Sequence, residues 1–242
     1  MNTEPKKTVH DLSGTSEYTG IVDAGLREHM RKVYNMMCFG LLVTGLSAMA
    51  VANIEPLYQA IFTTPLRYVA MFGPFLFLFF GLTPGRVAKM SASAVHTTFV
   101  LFTVSFGVCL SYIFHHFSGE SIARVFFITA GMFAGISILG YTTRRDLTSM
   151  GSMMIMGFFG FFIAAVVNIF FLQSLMLHFI TSVVGVIVFT GLTAWQTQSI
   201  KEQYDPALAQ EDSAKMAVLG AFSLYLYFVM LFQQLMHLFG RD

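Results

Sequence analysis

The apolar residues of this chain fall into long, nearly uniform runs rather than an alternating pattern. Seven runs each approach the roughly 20 residues that a helix needs to cross a membrane. Because none alternates with a period of two, the runs disfavour the strands of a membrane barrel. We therefore predict an all-α integral membrane protein with seven transmembrane helices. The predicted helices span about Val33 to Val51, Leu66 to Leu82, Val95 to Phe114, Ile122 to Leu139, Met150 to Leu172, Leu175 to Trp195 and Met216 to Phe239.

A polar segment precedes the first apolar run. Residues 1–27 contain Pro, Ser, Thr, Gly and charges of both signs, without sustained apolar periodicity. Such a segment cannot bury enough apolar surface to offset the entropy lost on folding. We predict a flexible cytoplasmic tail over residues 1–27 and one seven-helix transmembrane domain over residues 28–242.

The positive charges predict the orientation of the helices. If the N-terminus lies in the cytoplasm, 11 of the 14 Lys and Arg residues fall on the cytoplasmic side and 3 on the other side. Loops that stay in the cytoplasm carry an excess of Lys and Arg. The bias therefore predicts a cytoplasmic N-terminus and, after seven crossings, a C-terminus on the opposite side.

Composition supports the membrane assignment and excludes several classes of function. The chain is 55% hydrophobic and 11% charged, with a mean hydropathy of +0.67, whereas soluble domains are about 25% charged. Its net charge of +1 gives no reason to expect a nucleic-acid partner. Cys38 and Cys109 lie in apolar runs and do not imply a disulfide framework. No GxSxG, HExxH, Walker or CxxC motif is present, so we expect neither an enzyme nor a bound cofactor or metal.

Some polar residues and glycines are better explained by structure than by chemistry. Asp146 follows two arginines in a short connection and is expected to cap the fifth helix. His115 and His116 could bind a metal or sense pH, but solvated loop histidines are the favoured interpretation. Gly131 and Gly135 form a GxxxG, for which close packing within the bundle is favoured over a dimer interface.

Within the predicted spans there is no carboxylate, although a path for cations usually contains one. The polar groups at depth are amides and hydroxyls, which more often form hydrogen bonds between helices than a conduction site. These residues are Ser105, Ser111, Asn168, Thr181, Thr190, Tyr225, Tyr227 and Gln233.

Several blocks of sequence, in order along the chain, resemble the Bax inhibitor-1 family of membrane proteins, in particular its bacterial inner-membrane members. The resemblance implies the bacterial inner membrane, with the C-terminus in the periplasm. It also implies a bundle in which six helices surround the seventh. The blocks are Leu26, Arg31 to Gly45, Gly119 to Phe127, Gly140 to Gly151, Asn168, Gly191 to Lys201 and Gly220 to Phe232.

The family resemblance also implies a mechanism, from which this chain departs. Family members carry one carboxylate on helix six and one on helix seven, associated with a pH-responsive calcium leak. At the Asp position of the family's helix-six pattern, AWDTQ or YDTQ, this chain has Gln196. In the helix-seven pattern, LYLDFINLF, it has Tyr227 in place of the Asp and Met230 in place of the Asn. Gln does not titrate and Tyr has a reference pKa of about 10, so neither supplies a switch near neutral pH.

Two functions from different classes follow from the family resemblance. The first is a cation leak channel for calcium whose pH gating is weakened or lost, with Asn168, Thr197 and Gln198 as polar packing near the path. The second is a membrane interaction protein that does not conduct and modulates an FtsH-type membrane protease or a stress response. The lipid bilayer is the one partner that both functions share.

Overall fold

The computed structural model describes residues 10–240, and every regular element among them is helical. The all-α class predicted from the sequence is therefore confirmed. The elements are α1 His10–Asn53, α2 Glu55–Phe62, α3 Leu66–Phe80, α4 Pro84–Val87, α5 Ala92–Leu110, α6 Ile113–His116, α7 Gly119–Thr142, α8 Thr148–Val167 continued by a π-helical turn at Asn168–Leu172, α9 Leu175–Glu202 and α10 Gln210–Phe239.

Six helical segments in the described part of the chain are long and apolar enough to cross a membrane. They correspond to six of the seven predicted spans. The other predicted span forms α3, which has 15 residues and contains Pro74. At 1.5 Å per residue it measures about 22 Å, which is less than the hydrocarbon thickness of about 30 Å. The six segments are Ala24–Asn53, Ala92–His116, Gly119–Thr142, Thr148–Leu172, Leu175–Glu202 and Gln210–Phe239.

Helices α1 and α5 lie side by side and run in the same direction. The Thr44 hydroxyl donates a hydrogen bond to the Thr103 carbonyl oxygen at 3.0 Å. One turn further along both helices, Ser47 lies against Gly107 so closely that a side chain at Gly107 would not fit. Because the residue numbers of both helices rise together, α1 and α5 begin at the same end of the bundle.

Helix α3 packs on α5 in the opposite direction. Gly73 lies beside Ser105, and Gly81, just after the end of α3, lies beside Thr98. The residue numbers of α3 therefore rise as those of α5 fall. Together with α4 and the turns around it, α3 brings the chain back to the end at which α5 starts.

Helix α10 is the most buried of the six long helices in the described part of the chain. It packs against α1, α5, α7 and α9, while α3 packs on α5 and α8 packs on α9. In its most apolar stretch 56% of the residues are buried, compared with 6% in α8. The outer helices expose large apolar side chains to the surroundings, as expected of a surface that faces lipid.

One end of the bundle, which we call the basic end, gathers most of the positive charges. Rings of His29 and Tyr204 lie 5.4 Å apart, which brings the first part of α1 to the α9–α10 connection. The Ala92 N–H donates to the Glu211 carboxylate at 3.3 Å, which joins the starts of α5 and α10. The basic side chains of these connections and helix ends are Arg27, Arg31, Lys32, Arg86, Lys89, Arg144, Arg145, Lys201 and Lys215.

Two features differ from the expectations drawn from the sequence. Helix α1 begins at His10, inside the segment predicted as a tail, and residues 1–9 lie outside the described residues. Whether residues 1–27 are flexible stays a prediction. The prediction that Gly131 and Gly135 pack within the bundle is wrong, because both glycines are exposed and have open space where a side chain would stand. They lie on the outer face of α7, which no helix in the described part of the chain covers.

Candidate functional site

The α7–α8 loop is held at the basic end by two side chains of α9, an arrangement that we call the loop clamp. The buried Gln198 amide donates to the Arg145 carbonyl oxygen at 2.9 Å and accepts from the Leu147 N–H at 2.7 Å. One turn further, the Lys201 ammonium donates to the Tyr141 carbonyl oxygen at 2.9 Å and lies 5.2 Å from the centre of the Tyr141 ring. The clamp thus satisfies backbone groups where α7 ends and α8 begins.

Two glycines allow the helices to approach closely at the loop clamp. Gly140 of α7 lies against the backbone of Ala194. Gly151 of α8 lies against the Trp195 ring, and a Cβ atom added there would lie 2.5 Å from it. The Trp195 ring of α9 is therefore packed against α8, although its position in the sequence is also typical of an interfacial anchor.

Asp146 caps the start of α8, as predicted from the sequence. Its carboxylate accepts the Thr148 N–H at 2.8 Å. Hydrogen bonds from the Thr148 side chain and backbone hold the pKa of this exposed carboxyl below its ordinary value. The charged carboxylate therefore stabilises the start of α8, where unpaired N–H groups favour a negative charge.

A cavity of about 280 Å³ opens beside the loop clamp, and we call it the basic-end cavity. Gln196 lines it from α9, His29 from α1 and Ser223 from α10. No Asp or Glu is among its lining residues. Within the described residues, the Gln196 side chain has no hydrogen-bond partner, so it is available to water or to a passing ion.

An aromatic layer closes the inner end of the basic-end cavity. Phe222 lines the cavity, and its ring lies 5.0 Å from that of Phe102. Tyr225 lies one turn deeper on α10, with ring centres 5.8 Å from Phe102 and 5.9 Å from Phe99. The edge-to-face contacts in this cluster are favourable geometries for buried rings. They leave Tyr225 with an exposed fraction of 0%.

The Tyr225 hydroxyl has a defined partner in this apolar layer. Its oxygen lies 2.7 Å from the Thr44 hydroxyl oxygen. Since Thr44 donates its proton to the Thr103 carbonyl at 3.0 Å, the Tyr225 hydroxyl is the donor in the shorter bond. This chain of hydrogen bonds joins the three helices α10, α1 and α5 at mid-depth.

A second, smaller cavity of about 110 Å³ lies on the other side of the aromatic layer. Thr44, Gly45 and Val229 are among its lining residues. The Tyr225–Thr44 hydrogen bond therefore stands between the two cavities.

Tyr227 and Met230 lie on α10 and are partly buried. Tyr227 follows Ser223 by four residues, which puts it on the same face of α10, about 6 Å beyond the cavity lining. The described residues include no hydrogen-bond partner for its hydroxyl, and Gln196 does not bond to it. The structure therefore places Gln196 in the lining of the basic-end cavity and Tyr227 deeper along one side of α10.

Asn168 and Thr197 form hydrogen bonds within their own helices or the adjoining turn. The Asn168 side chain accepts the Ser174 N–H at 2.9 Å, and its carbonyl accepts the Gln173 N–H at 2.7 Å. Gln173 has a left-handed φ of 47°, so Asn168 supports the sharp turn between α8 and α9. The Thr197 hydroxyl donates to the Thr193 carbonyl within α9 at 2.9 Å.

Comparison with known proteins decides the family. Residues 26–242 match the family described as Inhibitor of apoptosis-promoting Bax1. The chain belongs to the Bax inhibitor-1 family. The match begins close to the first residue of the predicted membrane domain and runs to its last residue. The resemblance suggested by the separate sequence blocks is thereby confirmed.

Several bacterial proteins are similar to nearly the whole chain. A protein of Rickettsia prowazekii is 43% identical over 220 residues, which cover 90% of this chain and 92% of the relative. The inner membrane protein YbhL of Escherichia coli is 38% identical over 220 residues, covering 90% of this chain and 93% of YbhL. A protein of Caulobacter vibrioides is 39% identical over 234 residues, covering 91% of each. The chain is a membrane protein of this family.

The structure adds residues that sequence reasoning did not single out as site residues. His29 and Ser223 line the basic-end cavity, and Thr44 is the partner of Tyr225. Thr44 and Tyr225 both lie in blocks that carry the family resemblance, which was the available signal. Among the described residues, no group of three or more His, Cys, Asp or Glu side chains could hold a metal ion.

Proposed function

We propose that this protein is a Bax inhibitor-1-type leak channel for cations, calcium among them, whose carboxylate pH switch is lost. The observation that carries the proposal is the basic-end cavity. Gln196, at the family's Asp position, lines this cavity directly above the aromatic layer, and no carboxylate joins it there. An amide can offer a carbonyl oxygen to a cation but cannot change its charge with pH.

The proposed channel crosses the membrane seven times. Since α1 and α5 start at the same end, the chain between them has to return, and α3 with α4 runs in the required direction. This supports α3 as the seventh crossing, despite its 15 residues. The basic end is then the cytoplasmic end of the bundle in the bacterial inner membrane, and the C-terminus is periplasmic.

The structure corresponds to a closed state in this proposal. A calcium ion at the Gln196 side chain would meet the Phe222 and Tyr225 rings before it reached the second cavity. Because a buried cation needs oxygen ligands, typically 6 to 8 for calcium, the aromatic layer opposes passage. Weak leakage then requires the Tyr225–Thr44 contact to open.

Calcium flux into liposomes tests the proposed loss of the switch. We expect the double variant Gln196→Asp with Tyr227→Asp to raise calcium flux at least several-fold and to make it depend on pH between about 6 and 8, because two nearby carboxylates share a raised pKa. The matched control is Gln59→Asp with Tyr68→Asp, two exposed positions on α2 and α3. A double variant that behaves like this control would contradict the proposal.

A second candidate is a protein that does not conduct and acts on an FtsH-type membrane protease. The closed aromatic layer and the cavity without carboxylates favour it. In this alternative the N-terminal segment before Arg27 is the contact for the protease.

Removal of that N-terminal segment tests the second candidate. If the segment contacts the protease, deletion of residues 1–23 should change the half-life of the protease's membrane substrates in cells at least two-fold, while full-length protein restores it. Immunoblots of the membrane fraction would verify that both forms are present at equal levels. An unchanged half-life would count against the protease role and would leave the channel proposal intact.

A further inference from the structure

A long groove opens between α1 and α7 and shares no lining residue with the basic-end cavity. It has a volume of about 700 Å³ and extends from Arg27 and Tyr141 at the basic end to Leu41 and Phe126 near mid-depth. Phe228 of the central helix α10 forms part of its floor. A ligand in this groove would therefore contact the central helix directly.

The length of the groove matches one leaflet of a bilayer. From Arg27 to Leu41 the helix rises by about 21 Å. Half of the hydrocarbon core measures about 15 Å, so the remaining length reaches the head-group region. The groove thus runs from the level of the head groups to the middle of the membrane.

The polar groups of the groove lie towards its basic end. Arg27 supplies a positive charge at the mouth. Ser137 lies one turn deeper than Tyr141 on α7, and its side chain is 4% exposed. Its hydroxyl has no hydrogen-bond partner among the described residues, whereas Thr129 on the same helix bonds to the Val125 carbonyl at 2.7 Å. A buried hydroxyl without a partner is costly, which points to a ligand atom that accepts its proton.

We propose that this groove is a binding site for one anionic phospholipid of the leaflet at the basic end. The phosphate pairs with the Arg27 guanidinium, an ester carbonyl accepts the Ser137 hydroxyl and an acyl chain fills the apolar length of the groove. The order of these groups along a phospholipid is the order of Arg27, Ser137 and the apolar walls along the groove.

A transmembrane helix fits the polar groups less well. The backbone carbonyls of a spanning helix are occupied by its own hydrogen bonds, so they do not readily satisfy Ser137. An apolar helix face also offers no partner to the Arg27 charge at the mouth. Phospholipid supplies both acceptors in one molecule.

Native mass spectrometry of the full chain in detergent tests the charge contact. Delipidated protein is titrated with phosphatidylglycerol and, separately, with phosphatidylcholine. We expect one phosphatidylglycerol to bind preferentially and Arg27→Gln to weaken it about ten-fold, as for the loss of one charge-assisted hydrogen bond. The control Arg31→Gln removes the same charge from an exposed position of α1 that does not line the groove and should leave the affinity unchanged. Equal affinity for the two lipids, or equal effects of the two variants, would overturn the proposal.

Two substitutions of alanine by the bulky phenylalanine test the groove itself. Ala134 lines the groove and Ala123 lies on an exposed part of the same helix α7, outside the groove. Ala134→Phe should abolish the bound phosphatidylglycerol peak, and Ala123→Phe should preserve it. Retention of the lipid by Ala134→Phe would contradict the site. Disruption of a dimer by Ala134→Phe, with lipid binding unaffected, would assign the groove to a second copy of the chain instead.

Discussion

Gln196 and Gln198 stand two residues apart on α9 and have opposite surroundings. The Gln198 amide is buried and bonds both to the Arg145 carbonyl and to the Leu147 N–H. The Gln196 amide lines the basic-end cavity without a partner among the described residues. Two glutamines on the same helix thus have different roles: Gln198 holds the α7–α8 loop, and Gln196 lines the candidate site.

At Gln198, we predict a loss of stability on truncation. Gln198→Ala leaves the Leu147 N–H and the Arg145 carbonyl without their partners, so the free energy of unfolding should fall by about 2 kcal/mol. Thermal unfolding in detergent would measure it. Gln203→Ala is the control, because among the described residues this exposed side chain bonds only to Ser199 one turn away, and its loss should change stability by less than about 0.5 kcal/mol. Equal effects of the two variants would contradict the loop clamp.

The residue types at the site could be predicted from the sequence, but their partners could not. Gln198 was expected to be polar packing, yet its partners lie 51 and 53 positions away in the chain. Thr44 and Tyr225 are 181 positions apart. Local pattern carries no information about such contacts, because only the packing of whole helices brings them together.

At the scale of elements, the six long helices were predictable because their apolar runs are long enough to cross a membrane and longer than a helix of a soluble protein needs. The neighbours of a helix face were not predictable from the run itself. Gly131 and Gly135 place small residues on one face of α7, but that pattern does not reveal whether another helix covers the face. In the structure the face is open. The path of α3 likewise became apparent only from its direction relative to α5.

The start of α8 offers a prediction about pH. The pKa of Asp146 is held below its ordinary value, so its cap is complete above about pH 4, the range of an unperturbed Asp, and is lost as the pH falls through the lowered pKa. Amide hydrogen exchange, corrected for the intrinsic rate, should show that the Thr148 N–H loses protection on acidification. In Asp146→Ala the protection should already be low at neutral pH. Asp205→Ala removes a similar bond to the Ala207 N–H in another loop and should leave Thr148 unaffected. Unchanged protection in Asp146→Ala would contradict the cap.

At the scale of the whole molecule, the most buried helix, α10, packs against α1, α5, α7 and α9, and Tyr225 lies at a depth between those of the two cavities. In the proposed function, a leak path runs along α10, and the family's pH switch would act at the basic-end cavity. The residues that stand there now are Gln196, His29 and Ser223. The central claim is that this protein has kept the path and lost the carboxylate switch.

Calcium flux into liposomes that contain the native protein, measured at pH 6, 7 and 8, tests that claim most directly. His29→Gln is measured in parallel, because His29 is the titratable side chain among the cavity's lining residues. We predict a low flux above that of protein-free liposomes, equal within about two-fold at the three pH values for both proteins, since an amide does not titrate. A several-fold change of flux with pH in the native protein, or no flux above the empty liposomes, would contradict the account.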